Sequence, residues 1–489
     1  MSILRFNEDD LLLPDSRRSL VSCKASVSIG EAARAMSQNR VGSIVVVDEL
    51  GLPQGIVTDT DLRDKVLAAG VSPESPVSSI MSSPVLTATP QITSASAILQ
   101  MIRHRVRHIC LTEDGTALSR ATGVVSEHDI ALLHGSNPAL LVKKISQSSD
   151  VSDLARARDE AEAHARQYVS QGVSLAFVRE LVAAVNDLTL EKLLQFGKYR
   201  LRIEGAPDPA LRFCWLSFGS DGRREQIMRT DQDNALIYED PPAGQEQETR
   251  RYYLRLGKIV TEGLCRCGYA PCPGGDMASS ASWCRSLSEW ERTVAHWVGE
   301  PEESALLNSA TFFDFRSSAG DTSLANELHA RLSALIRSHQ IVVILMAKNA
   351  VRGLPALTAF GKFALERKGH AEGRFDIKLR AMKPLSDAAR VLAMDGEHLA
   401  ITGTVERFRK VASSDPSVAS VASDAEMAYD LFLRHRVLRG IGGPDQGRYI
   451  ELGTMNHMER AQLRDALRCI RPVQTLLRVR FQLNTLGLQ

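Results

Sequence analysis

The sequence lacks a dominant charge, a long apolar run and a secretory leader, and each absence argues against a class of protein. Its 489 residues carry a net charge of only +1, which gives no electrostatic basis for binding nucleic acid or an anionic membrane surface. The longest aliphatic run, Ile341 to Ala347, is too short to cross a bilayer. The first ten residues, MSILRFNEDD, lack the apolar core of a signal peptide. We therefore expect a cytoplasmic protein that binds neither nucleic acid nor membrane.

Paired C-x2-C motifs are also absent, although the chain has eight cysteines. Four of them lie close together in the sequence: Cys265, Cys267, Cys272 and Cys284. Their spacing, C-x-C-x4-C-x11-C, does not match the paired knuckles of zinc modules. We expect reduced, buried thiols here rather than a zinc site.

An internal repeat occupies the N-terminal quarter, at residues 26–64 and 90–131. Each copy contains a short amphipathic helix, a β-rich run and a second strand that ends at the start of another helix. The pattern G-x-x-[ST]-x-x-D occurs in both copies, beginning at Gly55 and at Gly123. It places Thr58 with Asp61 in the first copy, and Ser126 with Asp129 in the second.

The repeat resembles a pair of CBS domains, a β-α-β-β-α module that often binds adenine nucleotides and commonly dimerises. The resemblance implies that Thr58 and Ser126 contact phosphate at helix N-termini, and that Asp61 and Asp129 accept hydrogen bonds from ribose. It also implies a homodimer. The alternative is that both pairs are ordinary helix caps, because a hydroxyl at the N-cap with an acid in the first turn stabilises any helix.

The segment FGSDGRREQIMRTDQDNALIY, residues 218–238, follows a predicted strand at 212–218 and runs into another at 235–238. Gly219 lets the backbone approach a phosphate closely, and Ser220 can donate hydrogen bonds to it. Asp231 and Asp233, two residues apart on an extended segment, point to the same side and could bind Mg²⁺. Arg223 or Arg224 could grip a phosphate through two hydrogen bonds.

A third carboxylate is expected at the same site. Asp314 is the first candidate because it lies inside the apolar run ATFFDFR, residues 310–316, which predicts a strand. Asp276, in the loop PCPGGDMASS, is the rival. Farther along, Lys378, Arg380 and Lys383 could face the nucleotide or an acidic acceptor, although a solvated helix face is the simpler interpretation.

The strand–Gly-Ser–helix–Asp-x-Asp–strand order resembles the nucleotidyltransferase fold of the polymerase-beta type, and within it the nucleotidyltransferase domain of protein-PII uridylyltransferase. Nearly the whole chain resembles the nucleotidyltransferase signal-transduction proteins that carry CBS domains. The resemblance implies Mg²⁺-dependent transfer of a nucleoside monophosphate from UTP or ATP to a hydroxyl on a protein acceptor, regulated at the CBS pair. Asp231, Asp233 and Asp314 would be catalytic. Uridylyl removal is not expected, since the only His-Asp dipeptide, His128-Asp129, lies in the second repeat.

The fold class predicted from these features is an α+β multidomain chain. It comprises a tandem CBS pair at 1–140, a helical connector with a polymerase-beta-like nucleotidyltransferase α/β domain at 141–320, and an all-helical domain at 321–489. Two other functions remain open at this stage. The transferase domain could bind nucleotide without reacting, as a sensor, or the CBS pair could serve mainly as a dimerising scaffold.

Overall fold

The protein is described here by a computed structural model covering residues 20–127, 129, 139–300, 310–443 and 445–483. Contacts divide the chain into two compact units, Met1–Lys143 and Lys144–Gln489. The predicted α+β multidomain class is confirmed. The sheet and the C-terminal helices belong to the second of these units, and the domain boundaries predicted at residues 140 and 320 stay predictions.

The N-terminal unit contains two three-stranded sheets, one from each sequence repeat. In each sheet the first two strands are parallel and the last two are antiparallel. The strands are β1 (Ser22–Lys24), β2 (Ser43–Val47), β3 (Pro53–Thr58), β4 (Thr87–Ala88), β5 (His108–Thr112) and β6 (Ala121–Ser126), and the crossover helices are α1 (Ile29–Asn39) and α2 (Ser94–His104). Each antiparallel pair shifts register at the equivalent place, Val46/Val47 and Leu111/Thr112. The internal repeat is therefore confirmed down to its irregularities.

Strand β2 is buried on both faces, which explains its uninterrupted apolar sequence SIVVV. Ile44 and Val46 pack in one cluster with the buried face of α1, including Met36. The alternate residues Val45 and Val47 belong to a second cluster that includes Cys110 of β5. Alternate side chains of β2 therefore pack into two different hydrophobic clusters, one on each face of the strand.

The second unit begins with long helices and continues into a four-stranded sheet. The helices before the sheet are α3 (Ala139–Gln147), α4 (Val151–Gln171) and α5 (Leu175–Ile203). The sheet strands are β7 (Phe213–Ser217), β8 (Asn234–Tyr238), β9 (Cys284–Ser286) and β10 (Arg316–Gly320), with α6 (Glu246–Arg266) and α7 (Leu287–Gly299) among them. Their order is β10-β7-β8-β9. Only the β8–β9 pair is parallel.

The strand predicted over residues 310–316 is wrong in its limits. Residues Ala310–Asp314 form a 3-10 helix, and the strand, β10, begins at Arg316. Phe312 and Phe313 are adjacent in this turn and both fully buried. The helical turn lets Phe312 stack on Trp290, with ring centroids 4.8 Å apart, while Phe313 is also buried.

The region after residue 321 is mostly helical, as predicted. Its helices are α8 (Thr322–Ser338), α9 (Ile341–Val351), α10 (Lys383–Asp395), α11 (Thr404–Ser414), α12 (Ala419–Gly440), α13 (His457–Leu467) and α14 (Ile470–Arg480). A two-stranded antiparallel pair, β11 (Phe375–Asp376) and β12 (Tyr449–Ile450), was not predicted. Among the described residues no single helix could span a membrane. Taken together, α8 and α9 are long and apolar enough for a membrane span by length and composition only, and the chain bends by 91° between them.

His329 on α8 is expected to make the fold acid-sensitive. Its ring stacks on Phe315 at 3.8 Å, and its Nε2 lies 3.1 Å from the Phe315 carbonyl oxygen, while its buried Nδ1 has no partner. Burial lowers the pKa of His329 to about 4. Protons therefore bind the unfolded chain preferentially, and stability falls as pH drops from about 6.5 toward 4, by roughly 3 kcal/mol from this residue.

Urea unfolding of wild type and His329→Gln across that pH range measures this contribution. Glutamine can still donate a hydrogen bond to the Phe315 carbonyl but does not titrate, so its unfolding free energy should decline less steeply with acid. Equal slopes for the two proteins would mean that His329 does not titrate on unfolding.

Candidate active site at the β7–β8 edge

The Gly-Ser turn and the Asp-x-Asp pair meet because β7 and β8 are antiparallel neighbours. Ser217, the last residue of β7, pairs with Asn234, the first of β8, and the Phe218 N–H donates to the Asp233 carbonyl at 3.1 Å. Gly219 has φ +59°, and a Cβ there would lie 2.4 Å from Asp233 Oδ2. Only glycine lets the turn approach the carboxylate this closely.

Gly219, Ser220, Asp231 and Asp233 all line one cavity of about 350 Å³. The structure therefore brings these four residues together, and the roles assigned to them from the sequence stay predictions. Asp276, the rival third acid, also lines the cavity. Its place is fixed by the loop backbone, since the Asp276 carbonyl accepts from Asn234 N–H at 3.1 Å.

The two carboxylates repel each other in a partly buried place. Burial, and then the charge of Asp231, raise the pKa of Asp233 to about 7. Lys378 Nζ lies 3.9 Å from Asp231 Oδ1 and offsets part of this charge. A divalent cation held by both carboxylates would offset more, and hard oxygen ligands suit Mg²⁺. The donor set therefore fits Mg²⁺, with coordination positions left for substrate and water.

The residues between and after the pair hold it in place. Gln232 donates to the Thr261 carbonyl of α6 at 3.2 Å, and Asn234 Oδ1 accepts from the Ala278 N–H at 2.8 Å. Gly257 of α6 lies so close to this loop that a Cβ would be 2.2 Å from the Ala278 carbonyl oxygen. The polar residues in TDQDN thus fix the carboxylates to their surroundings, a role that the sequence analysis missed.

Asp314 does not line the cavity, and the prediction that it joins the carboxylate pair there is wrong. Its side chain is fully buried, and three arginines surround it. Arg390 donates to it at 2.9 and 2.6 Å, Arg407 at 2.6 Å and Arg223 at 2.8 Å. These cations hold the pKa of Asp314 far below its usual range, although burial opposes them. The negative charge of Asp314 is therefore neutralised by these arginines and not by a metal ion.

The two arginines predicted to clamp phosphate have different positions. Arg223 lines the cavity, but it donates to Glu225 at 2.8 Å as well as to Asp314. Arg224 pairs instead with Glu180 at 3.2 Å and is not among the cavity residues. A positive φ of 55° at Arg224 turns its side chain away from that of its neighbour.

Glu225 is a further site residue that sequence reasoning missed. It is 2 % exposed, lines the cavity and accepts from Tyr429 Oη at 2.6 Å and from Thr404 N–H at 2.9 Å. Those two residues belong to α12 and α11, so Glu225 joins the sheet to the C-terminal helices. The only sequence signal was an acid directly after two arginines in GRREQ.

The C-terminal region contributes the cations of the cavity. Lys378, Lys383, Arg390, Arg436 and Arg448 line it. Arg380 does not, because it pairs with Glu366 at 2.9 Å. Of the three cations proposed from sequence, two therefore face the cavity and one faces away.

Among the described residues no group of three or more His, Cys, Asp or Glu side chains is placed to hold a metal ion, and this includes the four cysteines. Cys267 and Cys284 are buried, Cys272 is partly buried and Cys265 is exposed. Burial raises the pKa of Cys267 to about 11, so this thiol is protonated at neutral pH.

Family models match both functional parts of the chain. Residues 159–304 match the model described as "Putative nucleotidyltransferase DUF294", and residues 340–481 match "Putative nucleotidyltransferase substrate binding domain". Residues 12–68 and 77–133 match the CBS domain. The chain thus carries a DUF294 domain and the associated substrate-binding domain, together with a tandem CBS pair.

Curated relatives of this DUF294 protein match over about a quarter of its length. YhcV, a CBS domain-containing protein of Bacillus subtilis, is 31% identical over 22% of this chain and 75% of its own. MK0525 of Methanopyrus kandleri is 30% identical over 24% of this chain, which spans only 58% of that protein. The solved CBS-domain protein ATU1752 of Agrobacterium tumefaciens is 32% identical over 24% of this chain and 84% of its own, with a TM-score of 0.22.

In the CBS pair of this DUF294 protein, both hydroxyl-acid pairs form reciprocal helix caps. Asp61 Oδ2 accepts from Thr58 N–H at 2.9 Å and from its hydroxyl at 2.7 Å. Asp129 Oδ2 accepts from Ser126 N–H at 2.8 Å and from its hydroxyl at 2.6 Å. Capping is thus present at both motifs, and a ligand contact there stays a prediction.

Proposed function

We propose that this protein is a Mg²⁺-dependent nucleotidyltransferase that moves a nucleoside monophosphate from UTP or ATP to a hydroxyl on a protein acceptor. The observation that carries the proposal is the convergence of the Gly219–Ser220 turn with Asp231 and Asp233 on one cavity. A phosphate chain needs donors that approach its oxygens and carboxylates that hold a counter-cation, and this edge of the sheet supplies both.

In the proposed step the acceptor oxygen attacks the α-phosphorus of the nucleotide. The new oxygen–phosphorus bond forms as the bond from the α-phosphorus to the bridging oxygen breaks, so pyrophosphate leaves and the hydroxyl proton passes to water. Mg²⁺, when bound by Asp231 and Asp233, would neutralise phosphate oxygens and lower the barrier to attack. Gly219 and Ser220 would hold the phosphates, and Lys378 would orient Asp231.

The direct test is transfer of label from each α-³²P nucleoside triphosphate to protein in a lysate of the source cells, with Mg²⁺ or with excess EDTA. We expect one nucleotide to label a discrete acceptor only when Mg²⁺ is present. Binding of the same nucleotide without labelling of any acceptor would favour the sensor alternative.

We also propose that an adenine nucleotide binds the CBS pair and regulates this transfer. Two helix N-termini with half-buried hydroxyl-acid motifs lie in the N-terminal unit, and Arg107 donates to Thr60 Oγ1, beside the first motif, at 2.7 Å. Donors at helix N-termini favour phosphate, and an acid beside them suits ribose. A coupling of about 1–3 kcal/mol would change nucleotide affinity at the transferase cavity by roughly 5- to 150-fold.

Asp61→Ala with Asp129→Ala is expected to weaken binding of AMP, ADP or ATP at the CBS pair and to flatten their effect on transfer. The matched control is Glu31→Ala, because Ser28 and Glu31 form the same kind of capping box outside the repeated motif. Each lost cap costs about 1 kcal/mol of stability, but only the Asp61→Ala, Asp129→Ala change should alter calorimetric titrations. If both proteins lose the same amount of nucleotide affinity, Asp61 and Asp129 act only as helix caps.

A further inference from the structure

Arg436 is the cavity cation without an acidic partner among the described residues. Arg223, Arg390, Lys383 and Arg448 each pair with a carboxylate within 2.8 Å, and Lys378 lies 3.9 Å from Asp231. No carboxylate of a described residue lies within ion-pair distance of Arg436, and no acceptor reaches its Nε. Its charge is therefore compensated only from a distance.

This arginine is buried, which makes the missing partner costly. Arg436 is 5% exposed on α12, and burial lowers the pKa of its guanidinium from the ordinary value. An arginine nevertheless stays charged in a protein, so the unpaired charge persists. Burying an unpaired charge costs several kcal/mol, and proteins keep such groups where a ligand completes them.

The position of Arg436 is fixed before any ligand arrives. Gly447, with φ +67°, lies so close that a Cβ there would be 2.1 Å from the Arg436 carbonyl oxygen. One turn later, a Cβ at Gly440 would be 2.3 Å from Met228 Sδ. This tight packing holds the backbone of α12 against its neighbours, so little conformational entropy remains to be lost on binding.

Arg436 stands where two cavities meet. Asp231, Lys378, Arg436 and Arg448 line both the carboxylate cavity and an adjoining one of about 220 Å³. The adjoining cavity is thus lined by three cations beside the metal-ligand candidate Asp231, and by Asp445, whose carboxylate pairs with Arg374 at 3.2 Å. A chain of negative charges that starts at the carboxylate pair would extend into this space.

We propose that Arg436, with Lys378 and Arg448, forms a phosphate subsite that binds the pyrophosphoryl end of the nucleotide. This inference deepens the proposed function and rests on it for the identity of the nucleotide. It assigns the phosphate clamp to Arg436 of α12, in place of Arg223, which donates to two buried carboxylates, and of Arg224, which does not line the cavity. A guanidinium with free donors matches the geometry of phosphate oxygens.

The probe is pyrophosphate, titrated calorimetrically into the full chain without Mg²⁺ and then with it. Arg436→Gln should raise the pyrophosphate Kd by at least about tenfold, because a charged hydrogen-bond donor is lost. Arg436→Lys should have a pyrophosphate Kd between those of wild type and Arg436→Gln. Lysine keeps the positive charge but loses the paired N–H donors of the planar guanidinium. The matched control is Arg439→Gln: Arg439 lies three residues later on the same helix, does not line this cavity, and its variant should bind pyrophosphate as wild type does.

Thermal unfolding separates a ligand-binding role from a structural one. Removing an unpaired buried charge should leave the melting temperature of Arg436→Gln equal to or above that of wild type, while pyrophosphate should stabilise only the wild type. A competition arm identifies the source of the phosphate. UTP or ATP should displace pyrophosphate from the wild type.

Three results would overturn the inference: no pyrophosphate binding by wild type, unchanged binding by Arg436→Gln, or simultaneous binding of pyrophosphate and the triphosphate. The last result would assign the subsite to a phosphate on the acceptor. None of these measurements requires turnover or Mg²⁺. If transfer activity is never found but Arg436-dependent pyrophosphate binding is, the proposed function fails while the subsite stands.

Discussion

Replacement of Asp231 or Asp233 by asparagine is expected to reduce nucleotidyl transfer by at least about three orders of magnitude. The two carboxylates share one cavity with the Gly219–Ser220 turn, and a metal held there would lower the barrier to transfer by several kcal/mol. Asparagine keeps the shape of the side chain but loses the charge that binds Mg²⁺. Initial rates of label transfer at saturating Mg²⁺ measure the effect.

The same variants should fold normally or become more stable. Burial and the charge of Asp231 raise the pKa of Asp233, so removal of either charge relieves repulsion in the folded state. Thermal unfolding without Mg²⁺ checks this part. Asp276→Asn removes another carboxylate from the same cavity. It shows whether the loss of any carboxylate there reduces transfer and changes stability in the same way. Undiminished labelling by the Asp231→Asn, Asp233→Asn double variant would exclude the metal assignment.

Asp314→Asn is expected to destabilise the second unit, Lys144–Gln489, by about 3–5 kcal/mol, because it leaves buried arginines without their carboxylate. An asparagine offers one acceptor oxygen to three guanidinium groups and places an N–H₂ donor among them. Since Arg223 comes from the sheet and Arg390 and Arg407 come from α10 and α11, the loss should loosen the contact between sheet and helices. The free energy of unfolding in urea at neutral pH is the measurement.

A matched control for this prediction is Asp376→Asn. Asp376 is also buried, at 1% exposure, but it pairs with the single half-exposed Arg448 at 2.8 Å. We expect a clearly smaller loss there, because Arg448 can turn to solvent. If the two variants lose similar amounts of unfolding free energy, the three arginines around Asp314 add no stability beyond that of a single ion pair. The stabilisation from Asp314 should persist at neutral pH and fall only below about pH 4, since its folded pKa is lowered.

The sequence predicted the secondary structure best where periodicity and breakers agreed. The strands SIVVV and HICLT, the paired motifs after β3 and β6, and the strands on both sides of GRREQ all lie where the pattern placed them. The run ATFFDFR failed because composition alone cannot tell a strand from a turn of helix in a short apolar segment. There the aromatic cluster around Trp290 decided the conformation.

By itself, the sequence determined four members of the cavity that lie close together in the chain, although it missed Glu225 among them. Gly219, Ser220, Asp231 and Asp233 flank two adjacent antiparallel strands, and local geometry brings the ends of such strands to one edge. Only the tertiary structure decided the roles of the charged residues from distant segments. Whether Asp314 meets metal or arginine, whether Arg223 is free, and whether Arg436 has a partner depend on which side chains the packed helices bring within about 4 Å, because ionic pairing is set by distance in space and by burial.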